Sequence, residues 1–308
     1  GMSVAFLSCN ASENQNNQNA SGPDSLTTAY REAFYGDTTS SDTPAYRLPY
    51  DMKNASAEFK LSNKLIEISG LSMNEDGSKL LAVNDEQGKI FFLDKSDGDI
   101  KEDNKFEKGG DYEGIEQVGE IVYVVNSSGS VFEVKKADKK DPKTKKFNTH
   151  LNSDNDVEGL GYDAKNNRLL LACKNKPGKK SEYAGKRAVY AFDLKTESLS
   201  ETPVLLVDLE EIQQHVEKKN WLLEELLGTF APSGIAVHPQ TDNIYLLSSV
   251  VKLLVVLNPD GKLIHVEELD KKEYRQPEGL CFDQDGTLYL SSEGKGGKGR
   301  VYRFDVKE

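Results

Sequence analysis

The sequence predicts an all-β fold, a β-propeller of four-stranded blades, and three observations carry that prediction. A short phrase recurs along the chain: a small or acidic residue, a glycine, then an alternating apolar run. It stands at Ser69-Gly70-Leu71, Glu113-Gly114-Ile115, Glu158-Gly159-Leu160, Ser233-Gly234-Ile235 and Glu278-Gly279-Leu280. Successive glycines of the phrase lie 44, 45, 75 and 45 residues apart, so one interval holds an insertion and the others share one period. A period in the low forties, filled with short apolar strands separated by Gly, Asn and Asp turns, is the sequence mark of propeller blades.

The first 47 residues do not belong to this array. Positions 10–25 are almost entirely Asn, Gln, Ser, Ala, Asp and Glu, a composition that buries nothing and reads as a disordered tether. Ahead of it, Val4-Ala5-Phe6-Leu7-Ser8-Cys9 resembles the end of a bacterial lipoprotein signal, with Cys9 as the lipid anchor and most of the signal missing. The propeller domain is expected over 48–308. Its opening segment, 50–61, has strand character but belongs to no complete repeat.

The first unit begins at Gly70 and shows strands near 70–73, 79–84 and 89–94, with a polar fourth strand inside 98–106. In the second, 121–125 and 131–134 flank the turn 126–129. The lysine-rich run 135–146 reads as a solvated hairpin between outer strands. In the third, 168–173 pairs with 188–193 across a long basic loop, and 203–207 is the outer strand. The surplus residues follow. Leu209, Ile212, Val216, Leu223, Leu226 and Leu227 recur at helical spacing, which predicts one amphipathic helix over 209–227, N-capped by Asp208 and stopped by Gly228. The fourth unit has strands at 243–247, 253–257 and 263–266, with a hairpin turn at Asn258-Pro259-Asp260-Gly261. The fifth has 287–290 and 300–304 but no outermost strand. Segment 50–61 is the natural candidate to supply it and so close the ring, since an open ring exposes two sheet edges. The count favours five blades, with six left open by the long interval.

Bulk properties narrow the function classes. The net charge of −12 opposes binding to nucleic acid. No stretch of about 20 apolar residues exists to span a membrane. Three cysteines make no disulfide framework, and Cys173 and Cys281 read as small buried hydrophobes within strands. The four histidines, His150, His215, His238 and His265, match neither a zinc site nor a catalytic triad. The glycine-rich run 294–299 lacks the spacing of a phosphate loop.

In a propeller the innermost strands line a central channel. The recurring phrase marks where each enters it, so Glu113, Glu158 and Glu278 fall at equivalent positions around one mouth, with Ser69 and Ser233 at the other two. Converging carboxylates need a cation, bound protons or wide separation. The oxygen-rich donor set suits Ca²⁺ or Mg²⁺. Asn84, Asp85, Asn126 and Glu293, just past the second strands, could add oxygens, and Asp111 and Asp156 share strand parity with the glutamates that follow them. The competing reading gives these residues a structural role between blades, with each glycine allowing close strand approach.

The Glu-Gly phrases, in particular Asp156-Val157-Glu158-Gly159-Leu160 and Gln276-Pro277-Glu278-Gly279-Leu280, resemble the SdiA-regulated (YjiK-like) β-propeller family over about 50–308. The resemblance implies an exported or membrane-attached propeller without a settled biochemical role. Some broader propeller relatives hold a channel Ca²⁺ through Glu and Asn and hydrolyse esters or lactones, and Glu113, Glu158, Glu278 and Asn126 are the positions that match such a site. The expectation is therefore a monomeric, extracytoplasmic binding module of a bacterial cell envelope, attached to a membrane only through Cys9, recognising a glycan, peptide, protein or small molecule at the channel mouth. The alternative is a metal-dependent hydrolase of small esters, lactones or phosphoesters.

Overall fold

The computed structural model describes residues 45–219 and 230–308. Cys9 and the tether lie outside the described residues, as do positions 220–228 of the expected helix and its stop. The strands are β1 (Ala57–Lys60), then β2 (Ile68–Met73), β3 (Lys79–Asn84), β4 (Lys89–Asp94) and β5 (Ile100–Lys105) in the first blade. The second blade is β6 (Tyr112–Val118), β7 (Ile121–Asn126), β8 (Val131–Lys135) and β9 (Lys143–Phe147). The third is β10 (Val157–Asp163), β11 (Arg168–Cys173) and β12 (Lys186–Asp193), with its outer position divided between β13 (Ser198–Leu199) and β14 (Leu205–Asp208), both paired to β12. The helix α1 (Leu209–Lys218) follows; it ends short of the expected 227, at Lys218, because Lys219 leaves the helical path and its N–H turns back to Val216 and Glu217. The fourth blade is β15 (Gly234–Val237), β16 (Ile244–Ser248), β17 (Leu253–Leu257) and β18 (Leu263–Glu268), and the fifth is β19 (Pro277–Phe282), β20 (Leu288–Ser292) and β21 (Arg300–Phe304).

All pairings are antiparallel, and apart from β14 on β12 and β1 on β21 they join consecutive strands, so the chain forms a ring of five blades. The ring closes as the incomplete fifth repeat requires. β1 pairs with β21 from Ala57↔Arg303 to Lys60↔Arg300 and becomes the outer strand of the last blade. Just ahead of it, the buried Tyr50 hydroxyl meets His238 Nε2 at 3.0 Å and donates to the carbonyl of Gly286 at 2.5 Å. His238 is fully buried, its Nδ1 accepts from the Gln240 N–H at 3.2 Å, and burial lowers its pKa to about 3, so the ring stays neutral. It serves the turn after β15 and the closure, fourth blade to fifth.

The core is not one lump but five, one in each seam between neighbouring blades. Leu81 and Val83 face Ile115 and Val122 across the first seam, and Val125 faces Leu160 and Leu169 across the second. Leu170 and Val189 meet Ile235 and Ile244 in the third; Tyr245 and Leu247 meet Leu280 and Leu288 in the fourth; Cys281 and Tyr289 meet Leu71 and Leu80 in the fifth. Cys173 and Cys281 are buried free thiols within these seams. α1 packs on its own domain. Asp208 Oδ1 caps it by accepting from the Glu210 N–H at 2.9 Å, and Ile212 and Val216 are buried against the fourth blade's outer strand with Val266 and Leu263.

The recurring glycine explains how the seams close. A Cβ on Gly114 would stand 2.6 Å from Leu160 Cβ and 2.9 Å from Leu160 N; on Gly159, 3.0 Å from Ile235 Cγ2; on Gly234, 2.7 Å from the Glu278 carbonyl oxygen; on Gly279, 2.8 Å from Leu71 Cβ; and on Gly70, 3.0 Å from the Glu113 carbonyl oxygen. Each glycine is a hole filled by the next blade's inner strand. A methyl group there pushes blades apart where the ring is narrowest. Gly114→Ala is therefore expected to destabilise the fold by about 3 kcal/mol, as overpacking does. Gly297→Ala, whose nearest neighbour would be 3.4 Å away, should change it little. Urea unfolding midpoints of the two variants check the contrast.

Candidate functional site

The residue ahead of each glycine is placed by a β-bulge. Tyr112 pairs with Asn126 and Gly114 with Val125, so Glu113 has no partner on the neighbouring strand. The same shift isolates Ser69, Glu158 and Glu278. In the fourth blade the ladder starts at Gly234, and Ser233 donates its N–H to Leu247 O at 2.7 Å. A bulge re-aims the side chain it isolates. Here it delivers five equivalent side chains to one mouth of the channel.

The two serines and the three glutamates then behave differently. Ser69 Oγ donates to Tyr112 O at 2.6 Å and Ser233 Oγ to Pro277 O at 2.8 Å, in each case the carbonyl just ahead of the next blade's bulge. Both are buried, and both link one blade to the next. A carboxylate cannot make that bond, and the glutamates instead face one another electrostatically. Glu113 is pushed up to about 11, by burial first, then by its hydrogen bond with Asp111 and by the charges of Glu158, Asp111 and Glu278. Glu278 is 5% exposed and is raised well above its ordinary value by burial and by Glu158. Glu158, 8% exposed, is likewise raised by burial, although Lys174 Nζ sits 2.8 Å from its Oε1. Burial pulls the Lys174 ammonium down, but Glu158, Glu278 and Asp156 outweigh it and hold the charge in place.

Further carboxyls gather around this ring. Asp156 adopts a left-handed backbone (φ 54°), accepts from Asn175 Nδ2 at 3.0 Å, and is raised by burial. Asp85 is raised by burial and by Glu86 and Asp111, and its Oδ1 is buried without a hydrogen-bond partner. Glu293 is pushed to about 7 by burial and by Asp85. Glu67, Glu86, Lys252 and Lys295 belong to the same electrostatic network. The two asparagines are occupied otherwise. Asn126 Oδ1 accepts from Ser128 Oγ and the Ser130 N–H, both at 2.9 Å, and Asn84 Oδ1 accepts from the Gln87 N–H at 2.8 Å, so each caps the turn after its strand. Glu67, Glu86, Lys174, Lys252 and Lys295 escaped the reading from sequence. Lys174 had a signal: it follows the second strand of its blade as Asp85 and Glu293 follow theirs.

The donor chemistry of this mouth, all carboxylate oxygen with one orphaned buried Oδ1, fits a hard cation. The placement does not yet converge: among the described residues no group of three or more His, Cys, Asp or Glu stands close enough to hold a metal ion. The opposite mouth is a separate cavity of about 200 Å³, bounded by the far ends of the innermost strands.

The SdiA-regulated family model matches residues 50–296, most of the chain and nearly all of the ring. The chain belongs to the SdiA-regulated family. Among solved structures it is similar to the glutaminyl cyclase of Myxococcus xanthus, at 12% identity over 82% of this chain and 96% of that one, with a TM-score of 0.52. It is also similar to a Xanthomonas campestris gluconolactonase, at 10% identity over 77% of this chain and 72% of that one, TM-score 0.48. A streptogramin B lyase matches at 12% identity and TM-score 0.42 over 77% of this chain, which spans just under two thirds, 65%, of the lyase. At such identities the likeness concerns the fold alone.

An acid with a higher pKa folded than unfolded takes up a proton on folding. The stability contributed by Glu113 is therefore complete below its ordinary value of 4.5 and declines as pH rises towards 11. Glu113→Gln removes that decline. It is expected to stabilise the protein by on the order of 2–4 kcal/mol near pH 8 and to change little near pH 4. Chemical denaturation at the two pH values measures it; a variant destabilised near pH 8 would refute the repulsive ring.

Proposed function

We propose that this SdiA-regulated propeller is an extracytoplasmic binding module whose acidic channel mouth recognises positive charge. Its simplest ligand is a divalent cation, Ca²⁺ or Mg²⁺, which then helps to seat a glycan, peptide, protein or small molecule there. One observation carries the reading. Burial raises the pKa of Glu113, Glu158 and Glu278 together, neighbouring carboxylates add to it, and the protein's own Lys174 ammonium already sits on Glu158. A site that raises the pKa of several carboxyls at once is one that an incoming cation stabilises, because the cation replaces protons. Glu113, Glu158, Glu278 and Asp85 would hold it, with Asp111 and Asp156 at the rim. Asn126 and the two serines would support the frame, since their polar atoms already serve turns and seams.

The Asp111–Glu113 hydrogen bond favours the second reading, a metal-dependent hydrolase of small esters, lactones or phosphoesters. Glu113 retains a proton and could act as an acid there. Titration calorimetry with Ca²⁺ on the chelator-stripped protein separates the readings in stages. Stoichiometric binding, weakened at least tenfold in Glu158→Gln, is expected for a cation site. Ester or lactone turnover that disappears in Glu113→Gln would then select the hydrolase, and its absence the binding module. Neither heat nor a melting shift at millimolar Ca²⁺ would return the glutamates to a purely structural role.

Attachment through Cys9, with 1–47 as the tether, completes the proposal. It rests on the lipoprotein-like run before that residue. Expressed in a bacterial host with a complete lipoprotein signal ahead of Ser8, the protein is expected to take up labelled palmitate and the Cys9→Ala variant is not; equal labelling of the two would remove the anchor.

A further inference from the structure

The acidic mouth has a basic neighbour. A recessed cavity of about 320 Å³ lies on the fifth blade, between the β18–β19 connection and the loop that joins β20 to β21. Lys272 and Arg275 line it from the first segment, Lys298 from the second, and Arg300 and Tyr302 from β21. The glycine-rich run 294–299 forms one wall. It leads from strand to strand, so it is no phosphate loop of the usual kind, yet its path is pinned. The Gly294 N–H donates to Ile66 O at 2.8 Å, the Gly297 N–H to Gly294 O at 2.9 Å, and Arg275 Nη1 to Lys295 O at 3.2 Å. A Cβ on Gly294 would collide with the Gly297 carbonyl oxygen, so only glycine lets the wall fold this tightly.

The cations of this cavity are short of counter-charge. Elsewhere on the surface lysines take carboxylate partners, as Lys95 does with Asp283, Lys145 with Glu197 and Lys186 with Asp208. Among the described residues no carboxylate pairs with the ammonium of Lys272 or Lys298 or with the Arg275 guanidinium, and all three side chains are on exposed residues that a solute can reach. The two acids that line the cavity are engaged elsewhere. Glu273 acts with Glu58 on Arg300, and Glu293 interacts with Asp85, Glu67 and Glu158 of the acidic mouth, so it stands between the two sites. Three unpaired cations gathered in one hollow, on a chain of net charge −12, make a local field opposite to that of the whole protein. Salt screens the distant acids beyond a Debye length of about 8 Å, whereas cations in contact with a ligand are screened little.

We propose that this cavity is an anion site for the phosphate group of a small, hydroxylated phosphate monoester. A monoester carries close to two negative charges and three acceptor oxygens, which matches several cations better than a single carboxylate does. Arg275 offers the N–H groups that it does not give to Lys295 O, in a planar fork suited to phosphate, and Lys272 and Lys298 add point charges. Apart from the glycines and the Tyr302 ring, every residue around the cavity is charged or polar, which suits a hydroxylated body and not an apolar one.

Glycerol 3-phosphate is the probe, titrated into the full chain by calorimetry near neutral pH, with inorganic phosphate and glycerol as the comparison ligands. Saturable binding of one equivalent of the ester is expected, tighter than that of inorganic phosphate, weakened by added salt, and absent for glycerol. Arg275→Gln and Lys298→Gln should each weaken it at least fivefold, and the double variant at least tenfold. Lys307→Gln removes the same charge away from the cavity and should bind as the wild type does. So should Glu158→Gln, which leaves this site and the acidic mouth to stand or fall separately. Inorganic phosphate bound as tightly as the ester would overturn the role of the hydroxylated body. No saturable binding at millimolar ester, or wild-type affinity in a folded double variant, would overturn the site.

Discussion

The contact between each recurring glycine and the next blade's inner strand is the constraint on which the rest depends. Five blades around an axis bring their inner strands closer than ordinary side chains allow. At Gly114 and Gly234 the next backbone lies less than 3 Å from where a Cβ would be. Removing that carbon lets Leu71, Leu160, Ile235 and Leu280 enter the seams, and the seams are where the apolar core is. Fold and core thus follow from one steric requirement repeated five times.

The same geometry creates the chemistry. To set the glycine against its neighbour, the strand bulges one residue earlier, and the bulge turns that residue towards the mouth. Where the residue is serine, the hydroxyl satisfies the next blade's carbonyl and the position is finished. Where it is glutamate, no such bond forms and an acid remains in a crowded, poorly solvated ring. Charge density at this mouth is therefore a consequence of which side chain occupies a structural position. Lys174 offsets part of it through Glu158, and protons offset more.

The two ends of the channel differ for a related reason. At the bulges every side chain is equivalent by the repeat, so like charges meet. Two residues past the glycines the repeat has drifted, and one carboxyl stands among Ser, Gly, Ala and Cys. The solitary acid, Glu116, accepts from the Ser72 hydroxyl of the neighbouring blade; in the ring, the charges of neighbouring acids add to the effect of burial.

Much of this was legible in the chain. The period, the phrase and the missing outer strand of the last repeat gave the propeller, and segment 50–61 was the one piece able to close it. The apolar stripe and Asp208 located the start of the helix. Five blades were favoured, with six left open by the long interval, and the closed ring has five. What the sequence could not supply was direction and distance. Nothing in Asn126 announces that its oxygen caps a turn. Nothing in Ser69 or Ser233 says that each hydroxyl reaches into the next blade, and Lys174 reads as one lysine among many. Local pattern sets which residues share a strand or a face, because that depends on neighbours within a few positions. Which side chains meet across the channel depends on how five sheets from distant parts of the chain twist and pack, and only the closed ring determines that.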